Sequence, residues 1–131
     1  MAVVIIAEKP SVAEDIARVL GVNQRNDTHW SSDDIIITWA VGHLLELKKP
    51  EEYDERLKDW RKSVEMLPYI PEHFDLKPTS GRGNNRKQLT AIRKLINDKS
   101  CSEIVNACDA AREGELIFRR IIEYSKSKAL M

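Results

Sequence analysis

The sequence predicts an α/β fold in which a mostly parallel sheet is flanked by helices. Two apolar runs, "AVVIIA" at residues 2–7 and "EIVNACD" at residues 103–109, are typical of strands covered on both faces. A helical pattern follows each of these runs, and strands alternating with helices favour parallel pairing through right-handed crossovers. Ligands of such sheets gather outside the carboxyl ends of the strands, so those ends are where a site is expected.

The first strand is expected to end at Glu8, and a helix is expected over residues 11–21. Ser11 is the expected N-cap and Gly21 the C-terminal stop. The residues expected to face inward are Val12, Ile16, Val19 and Leu20. The segment 28–42 then reads as two strands around a polar turn at residues 32–34.

Residues 47–78 contain four of the five prolines and a dense mixture of charges. This composition predicts short helices and loops rather than sheet, and we interpret the segment as an insertion at roughly 47–80. A glycine-bearing loop leads into a helix over 86–98, whose apolar positions are Leu89, Ile92, Leu95 and Ile96. A last helix over 112–128 is expected to turn Leu116, Ile117, Ile121 and Ile122 inward.

Length and composition limit the classes of function. The 131 residues predict one domain with a single core. Basic and acidic residues number 21 each, so no bulk charge indicates a nucleic acid or an acidic membrane. The apolar runs are too short to span a bilayer and no signal peptide is recognisable, so a cytoplasmic protein without a membrane partner is expected. Cys101 and Cys108 fit neither a redox pair nor a zinc site and are expected to be reduced.

Carboxylates follow both buried runs. If the two strands are neighbours, Glu8 and Asp109 converge on one edge of the sheet. Asp109 and Glu113, four residues apart across a strand-to-helix turn, can address the same Mg²⁺ ion, and Gly114 leaves room for a close backbone approach. Glu115 has a simpler explanation, because acids at a helix N-terminus are favoured by the helix dipole.

A second signal is a block of one charge sign. Between Asp75 and Asp98 there is no acidic residue. The basic residues of the block are Lys77, Arg82, Arg86, Lys87, Arg93 and Lys94. Such a block favours contact with a phosphate backbone, and the alternative is a basic surface without a partner.

Three segments taken together carry a resemblance to a known family. "IIAEKPSVAEDIARVLG", "WAVGHLLEL" and "NACDAAREGELIFR", in this order and spacing, resemble the amino-terminal Toprim domain of type IA DNA topoisomerases, closest to the bacterial topoisomerase III branch. The resemblance spans nearly the whole chain and implies a Rossmann-like Toprim fold over 1–131. The family signature is a Glu after the first strand and a D-x-D-x-E group later, which match Glu8, Asp109 and Glu113. The middle Asp of the group falls on Ala111, which has no oxygen to offer a metal.

The resemblance implies an isomerase that cleaves, passes and rejoins single-stranded DNA through a phosphotyrosine intermediate. Glu8 would be the general acid or base, and Asp109 with Glu113, assisted by Glu8, would hold Mg²⁺. Lys9 would touch the scissile phosphate, and Arg112 matches the catalytic "REGE" portion. His43 would contact DNA or a neighbouring domain, alongside nucleic-acid contacts from Arg82, Arg86 and Lys87.

The family's nucleophilic tyrosine belongs to a downstream domain that is expected to be absent here. Tyr53, Tyr69 and Tyr124 match no nucleophile motif and are expected to be structural. The chain alone is therefore expected to be inactive and to work with other domains of the same polypeptide.

Two other readings stay open. Toprim domains also occur in primases, recombination mediators and nucleases, so another nucleic-acid enzyme is the first alternative. The second is a non-catalytic module that binds nucleic acid or docks to a protein, and Ala111 is the residue that favours it.

Overall fold

A computed structural model of the chain describes residues 1–59, 61, 63–79 and 84–127. The described residues form two compact units, one comprising Met1–Leu45 and the chain from Pro78 onward, the other comprising Glu46–Lys77. In chain order the elements are β1 (Ala2–Ala7), α1 (Pro10–Leu20), β2 (Gln24–Arg25), β3 (His29–Ser31), β4 (Ile35–Trp39), β5 (Leu45–Leu47), α2 (Pro50–Tyr53), two 3₁₀ turns (Glu55–Leu57 and Ser63–Met66), β6 (Leu76–Pro78), α3 (Asn84–Ile96), β7 (Cys101–Ala107) and α4 (Arg112–Ser125).

The first unit contains a five-stranded sheet in the order β2-β3-β4-β1-β7. The predicted α/β class is confirmed, and the two apolar runs are neighbouring parallel strands, β1 and β7. Strand β4 pairs with β1 in parallel, whereas β3 pairs antiparallel with both β4 and β2. The sheet is therefore mixed rather than mostly parallel, because the two strands predicted at 28–42 form a hairpin that extends it through antiparallel pairs.

Helices cover both faces of β1. Val4 and Ile6 point towards α3 and α4, where they pack with Ile92, Phe118 and Ile121. The next residue along, Ala7, faces the opposite side and packs with the core residues Ala13, Ala17, Ile37 and Trp39. Successive side chains of β1 thus enter cores on opposite faces of the sheet, which explains why the strand is apolar at every position.

Three details of the helices differ from expectation. Helix α1 begins at Pro10 with Lys9 as its N-cap, so Ser11 lies inside the helix and does not cap it. Proline suits this first position because it has no N–H to leave unpaired. The buried residues of α1 are alanines, and Val19 is 82% exposed because it lies 200° around the helix from Ala17 at about 100° per residue. In α4, Leu116 is exposed and Phe118 is buried in its place.

The second unit contains α2, the two 3₁₀ turns and most of a two-stranded sheet of β5 and β6. The expectation of helices and loops without sheet was wrong here, because strands of three residues carry too little periodicity to be recognised. Lys77 joins the unit together by pairing with Glu52 at 2.7 Å and Glu46 at 3.6 Å. Within the described residues, no helix has the length and apolarity needed to cross a bilayer.

Candidate active site

The carboxyl ends of three neighbouring strands meet at one edge of the sheet. In the register of the sheet, Ala7 stands opposite Trp39 of β4 and Ala107 of β7. The chain leaving each strand passes along this edge, which brings together Glu8, the loop that carries His43, and Asp109. The expected convergence of the two strand ends is confirmed.

Glu8 is a carboxyl group in an environment that favours its protonated form. Its Oε2 atom is buried and has no hydrogen-bond partner in the described chain. A hydrogen bond shared with the Asp109 carboxylate raises the pKa of Glu8, and burial and the negative charge of Asp109 raise it further. The main-chain N–H of Asp109 and the charge of Lys9 oppose this increase. Glu8 therefore has the character of an acid that can give up a proton beside a second carboxylate.

Gly114 fixes the start of α4 against the end of β7. It is buried, and a Cβ at this position would lie 2.2 Å from the Asp109 main-chain oxygen and 2.7 Å from its nitrogen. No other residue type allows this approach without moving the backbone. The close backbone approach predicted at Gly114 is thus confirmed, and it sets the position of Asp109 relative to the first turn of α4.

The acids of α4 have different partners. The Nε2–H of His43 donates to Glu113 Oε1 at 2.9 Å, and the Glu113 side chain is 71% exposed. Glu115 instead accepts from Asn106 at 2.9 Å and from Arg119 at 2.7 Å. The pairing of His43 with Glu113 across seventy residues was not visible in the sequence, nor was the contact of Asn106.

The described residues contain no group of three or more His, Cys, Asp or Glu side chains arranged to hold a metal ion. Ala111 is the N-cap of α4 and offers only a methyl group where the family pattern has a carboxylate. Magnesium, however, is commonly bound through one or two carboxylates, with water and substrate phosphates as the other ligands. The exposed carboxylates of Asp109 and Glu113 fit that mode of binding, and the orphaned Oε2 of Glu8 leaves a further buried acceptor at the same edge.

The predicted basic residues lie at different places around this edge. Lys9 precedes α1 directly after Glu8, and Arg112 is the first residue of α4; both are exposed. Arg86 and Lys87 lie in the first turn of α3, where Lys87 pairs with Asp27 at 3.3 Å. Arg82 lies outside the described residues.

Three further side chains, two cysteines and a tyrosine, are given no part in the chemistry of this edge. Burial, followed by the charges of Glu8 and Asp109, raises the pKa of the Cys108 thiol to about 11, so Cys108 is unreactive at neutral pH. Cys101 and Cys108 are both free, as predicted. Tyr124 packs beneath Arg93 at 4.7 Å, twelve residues or about 18 Å along α4 from its start.

The fold and this edge define a known class of domain. The Toprim domain family model matches residues 3–130, so the chain belongs to the Toprim domain family. The DNA topoisomerase 3 of Staphylococcus aureus strain USA300 is 44% identical over 119 residues, which cover 91% of this chain and 16% of that protein. The DNA topoisomerase 3 of strain NCTC 8325 matches to the same extent. The chain thus spans about one sixth of the length of these relatives.

Proposed function

We propose that this Toprim domain supplies the general acid and the Mg²⁺-binding carboxylates of a type IA DNA topoisomerase of the topoisomerase III kind, acting on single-stranded DNA. The observation that carries the proposal is Glu8, whose buried Oε2 lacks a partner and whose pKa is raised beside Asp109. The relatives named DNA topoisomerase 3 support the same assignment. A structural carboxylate would be expected to have its oxygens satisfied by donors.

The residues of this edge have different roles in cleavage and religation. A tyrosine from another domain of the polypeptide loses its phenolic proton to water and attacks the phosphorus. The bond from phosphorus to the 3′ oxygen breaks, and Glu8 gives its proton to that departing oxygen. Religation runs the same step in reverse, with the Glu8 carboxylate taking the proton from the 3′ hydroxyl. Lys9 and Arg112 hold the scissile phosphate at this edge. The 131-residue chain alone should neither relax DNA nor form a covalent adduct.

Asp109 and Glu113 would hold Mg²⁺, with Glu8 at the margin of the site. When bound, the ion neutralises phosphate oxygens and orients the strand. His43 donates a hydrogen bond to Glu113 Oε1 and so fixes the orientation of the carboxylate. The other oxygen, Oε2, remains available to the ion. With Ala111 in place of an Asp, we expect weak binding, completed by water and DNA.

Titration of Mg²⁺ into the chain, followed through its backbone amide resonances, tests this proposal. We expect saturable shifts at Asp109, Ala111 and Glu113, and their loss in Asp109→Asn. The matched control is Asp15→Asn, because Asp15 is an exposed carboxylate on α1 paired only with Arg18 in the described chain. Shifts that persist in Asp109→Asn, or that never appear, would favour the alternative of a non-catalytic module.

A further inference from the structure

The turn that carries Asp109 is supported by a strand on one side only. It comprises residues 108–111, between the end of β7 at Ala107 and the start of α4 at Arg112. Strand β7 lies at the edge of the five-stranded sheet, with β1 as its one neighbour in the described chain. Glu8, by contrast, follows a strand that is paired on both sides. The position of Asp109 therefore depends on contacts made within the turn and with α4.

Asn106 makes two hydrogen bonds that span this turn. Its Oδ1 accepts from the main-chain N–H of Cys108 at 3.0 Å, and its Nδ2 donates to Glu115 Oε2 at 2.9 Å. The reversed amide would set nitrogen against an N–H and oxygen against a carboxylate, so the two partners fix its orientation. Asn106 thus joins the residue before Asp109 to the first turn of α4.

An amide at this position interrupts the apolar pattern of β7. Asn106 follows Ile104 by two residues, so both lie on the same face of the strand. Ile104 packs in the core beneath α3 and α4, whereas Asn106 stands at the exposed end of that face. A valine there would continue the apolar pattern and could make neither hydrogen bond. The asparagine therefore serves the turn and not the core.

Glu115 is itself held by α4. Its second oxygen, Oε1, accepts from Arg119 Nε at 2.7 Å, one helical turn further along. Both carboxylate oxygens of Glu115 therefore have donors. The helix dipole alone does not account for these two contacts, and with both oxygens bonded Glu115 suits a support better than a metal ligand.

We infer that Asn106 and Glu115 are positioning residues for Asp109, which hold the turn so that the Asp109 carboxylate is in place before Mg²⁺ binds. This inference rests on the proposed function, which makes Asp109 a ligand of the ion. Ligands that are already held in place bind more tightly, because binding does not have to order them. Without Asn106, the ion would have to order the turn itself and would bind more weakly.

Asn106→Ala tests the inference on the 131-residue chain, with the Mg²⁺ affinity measured from the amide shifts of Ala111 and Glu113. We expect the dissociation constant for Mg²⁺ to rise about fivefold, the effect of one hydrogen bond. A second measurement needs no metal. The Cys108 amide should exchange its hydrogen with solvent about fivefold faster in the metal-free variant, because it loses its acceptor.

The matched control is Asn97→Ala. Asn97 also ties the chain to α4, because its Nδ2 donates to Ser125 O at the other end of the helix. Its replacement removes a hydrogen bond of the same kind far from the turn. We expect it to leave the Mg²⁺ dissociation constant unchanged.

A double variant, Asn106→Asp with Glu115→Gln, exchanges donor and acceptor and leaves the net charge unchanged. The new aspartate can still accept from the Cys108 N–H and can also accept from the new glutamine, whose oxygen can accept from Arg119. We expect this variant to bind Mg²⁺ within about twofold of the parent, because the hydrogen bonds of the turn are restored.

The possible outcomes separate the two proposals. An unchanged Mg²⁺ affinity in Asn106→Ala overturns the positioning role and leaves the proposed function standing. An equal loss of affinity in Asn97→Ala, or a double variant that binds as weakly as Asn106→Ala, also overturns it, because the effect then does not depend on the hydrogen bonds of the turn. A parent chain without saturable Mg²⁺ shifts contradicts both proposals.

Discussion

Two residues shape the carboxyl edge, one through its carboxyl group and one through the lack of a side chain. Glu8 has a raised pKa, because its carboxyl group is partly buried beside Asp109. Gly114 brings the first turn of α4 against the main chain of Asp109. The positions of both residues just after the ends of buried strands were predictable from the apolar patterns, whereas the acid role of Glu8 is implied by the resemblance to the family and is a proposal. The contact of His43 with Glu113 was not predictable, because it depends on how two distant loops meet.

Replacing Gly114 with Ala should destabilise the domain by about 1–3 kcal/mol, because the added methyl group overlaps backbone atoms of Asp109 that cannot move alone. The Mg²⁺-dependent amide shifts at Asp109 should weaken in parallel. Urea unfolding measures the first effect. Glu123→Ala, an exposed change on the same helix, is the control and should stay within about 0.5 kcal/mol. A Gly114→Ala variant as stable as the parent would show that the helix start can relax.

Glu8 also makes stability depend on pH. Because its pKa in the folded state is raised, its contribution to folding is complete below the unfolded pKa and is lost as the pH rises through the folded pKa. In the Glu8→Gln variant the side chain at this position does not titrate, and its amide group has N–H donors of its own. The variant should be more stable than the parent at pH 7, and the gain should disappear as the pH falls below the pKa of Glu8 in the unfolded chain.

Urea unfolding at several pH values with EDTA present measures this difference. Glu14→Gln, at an exposed position of α1, is the control and should show no such trend. A Glu8→Gln variant less stable than the parent at pH 7 would mean that the Glu8 carboxylate is stabilised rather than strained by its surroundings.

At the scale of elements, α3 shows that a run of basic residues in the sequence need not form a single basic patch on the folded protein. Lys87 pairs with Asp27, and Arg93 lies over the ring of Tyr124. Lys77 belongs to the second unit, where it pairs with two glutamates. Arg86 is exposed, and no ion pair to it is seen in the described chain. The acids that pair with Lys77 and Lys87 lie on other elements, and no local sequence pattern reveals them.

The first turn of α3 remains the expected phosphate contact, because it lies at the carboxyl edge next to β4. Replacing Arg86 and Lys87 with Ala should flatten the salt dependence of single-stranded DNA binding by about 1.4 log units per log unit, at about 0.7 for each lost phosphate contact. Lys94→Ala with Lys99→Ala, in the last turn of α3 and just beyond its end, is the matched control and should leave the slope unchanged. An unaltered slope in the first variant would place the DNA contact elsewhere.

At the scale of the whole molecule, the predictable part of the fold was the part with strong periodicity. The long strands β1, β4 and β7 and the three long helices follow from apolar patterns. The short strands β2, β5 and β6 do not, because pairing partners rather than their own residues hold them in place. For the same reason, the pairing of β2 with β3 at the edge of the sheet emerged only from the structure.

The most direct test of the central claim places the domain in a complete enzyme. The chain is exchanged for its matching segment in the DNA topoisomerase 3 of S. aureus strain USA300, of which it covers 16%. Relaxation of negatively supercoiled DNA is then measured with Mg²⁺. We expect the chimera to be active, Glu8→Gln to lower the rate at least about 100-fold, and the exposed control Glu14→Gln to leave it unchanged. A Glu8→Gln chimera that relaxes DNA as fast as its parent would contradict the assignment of the acid to Glu8.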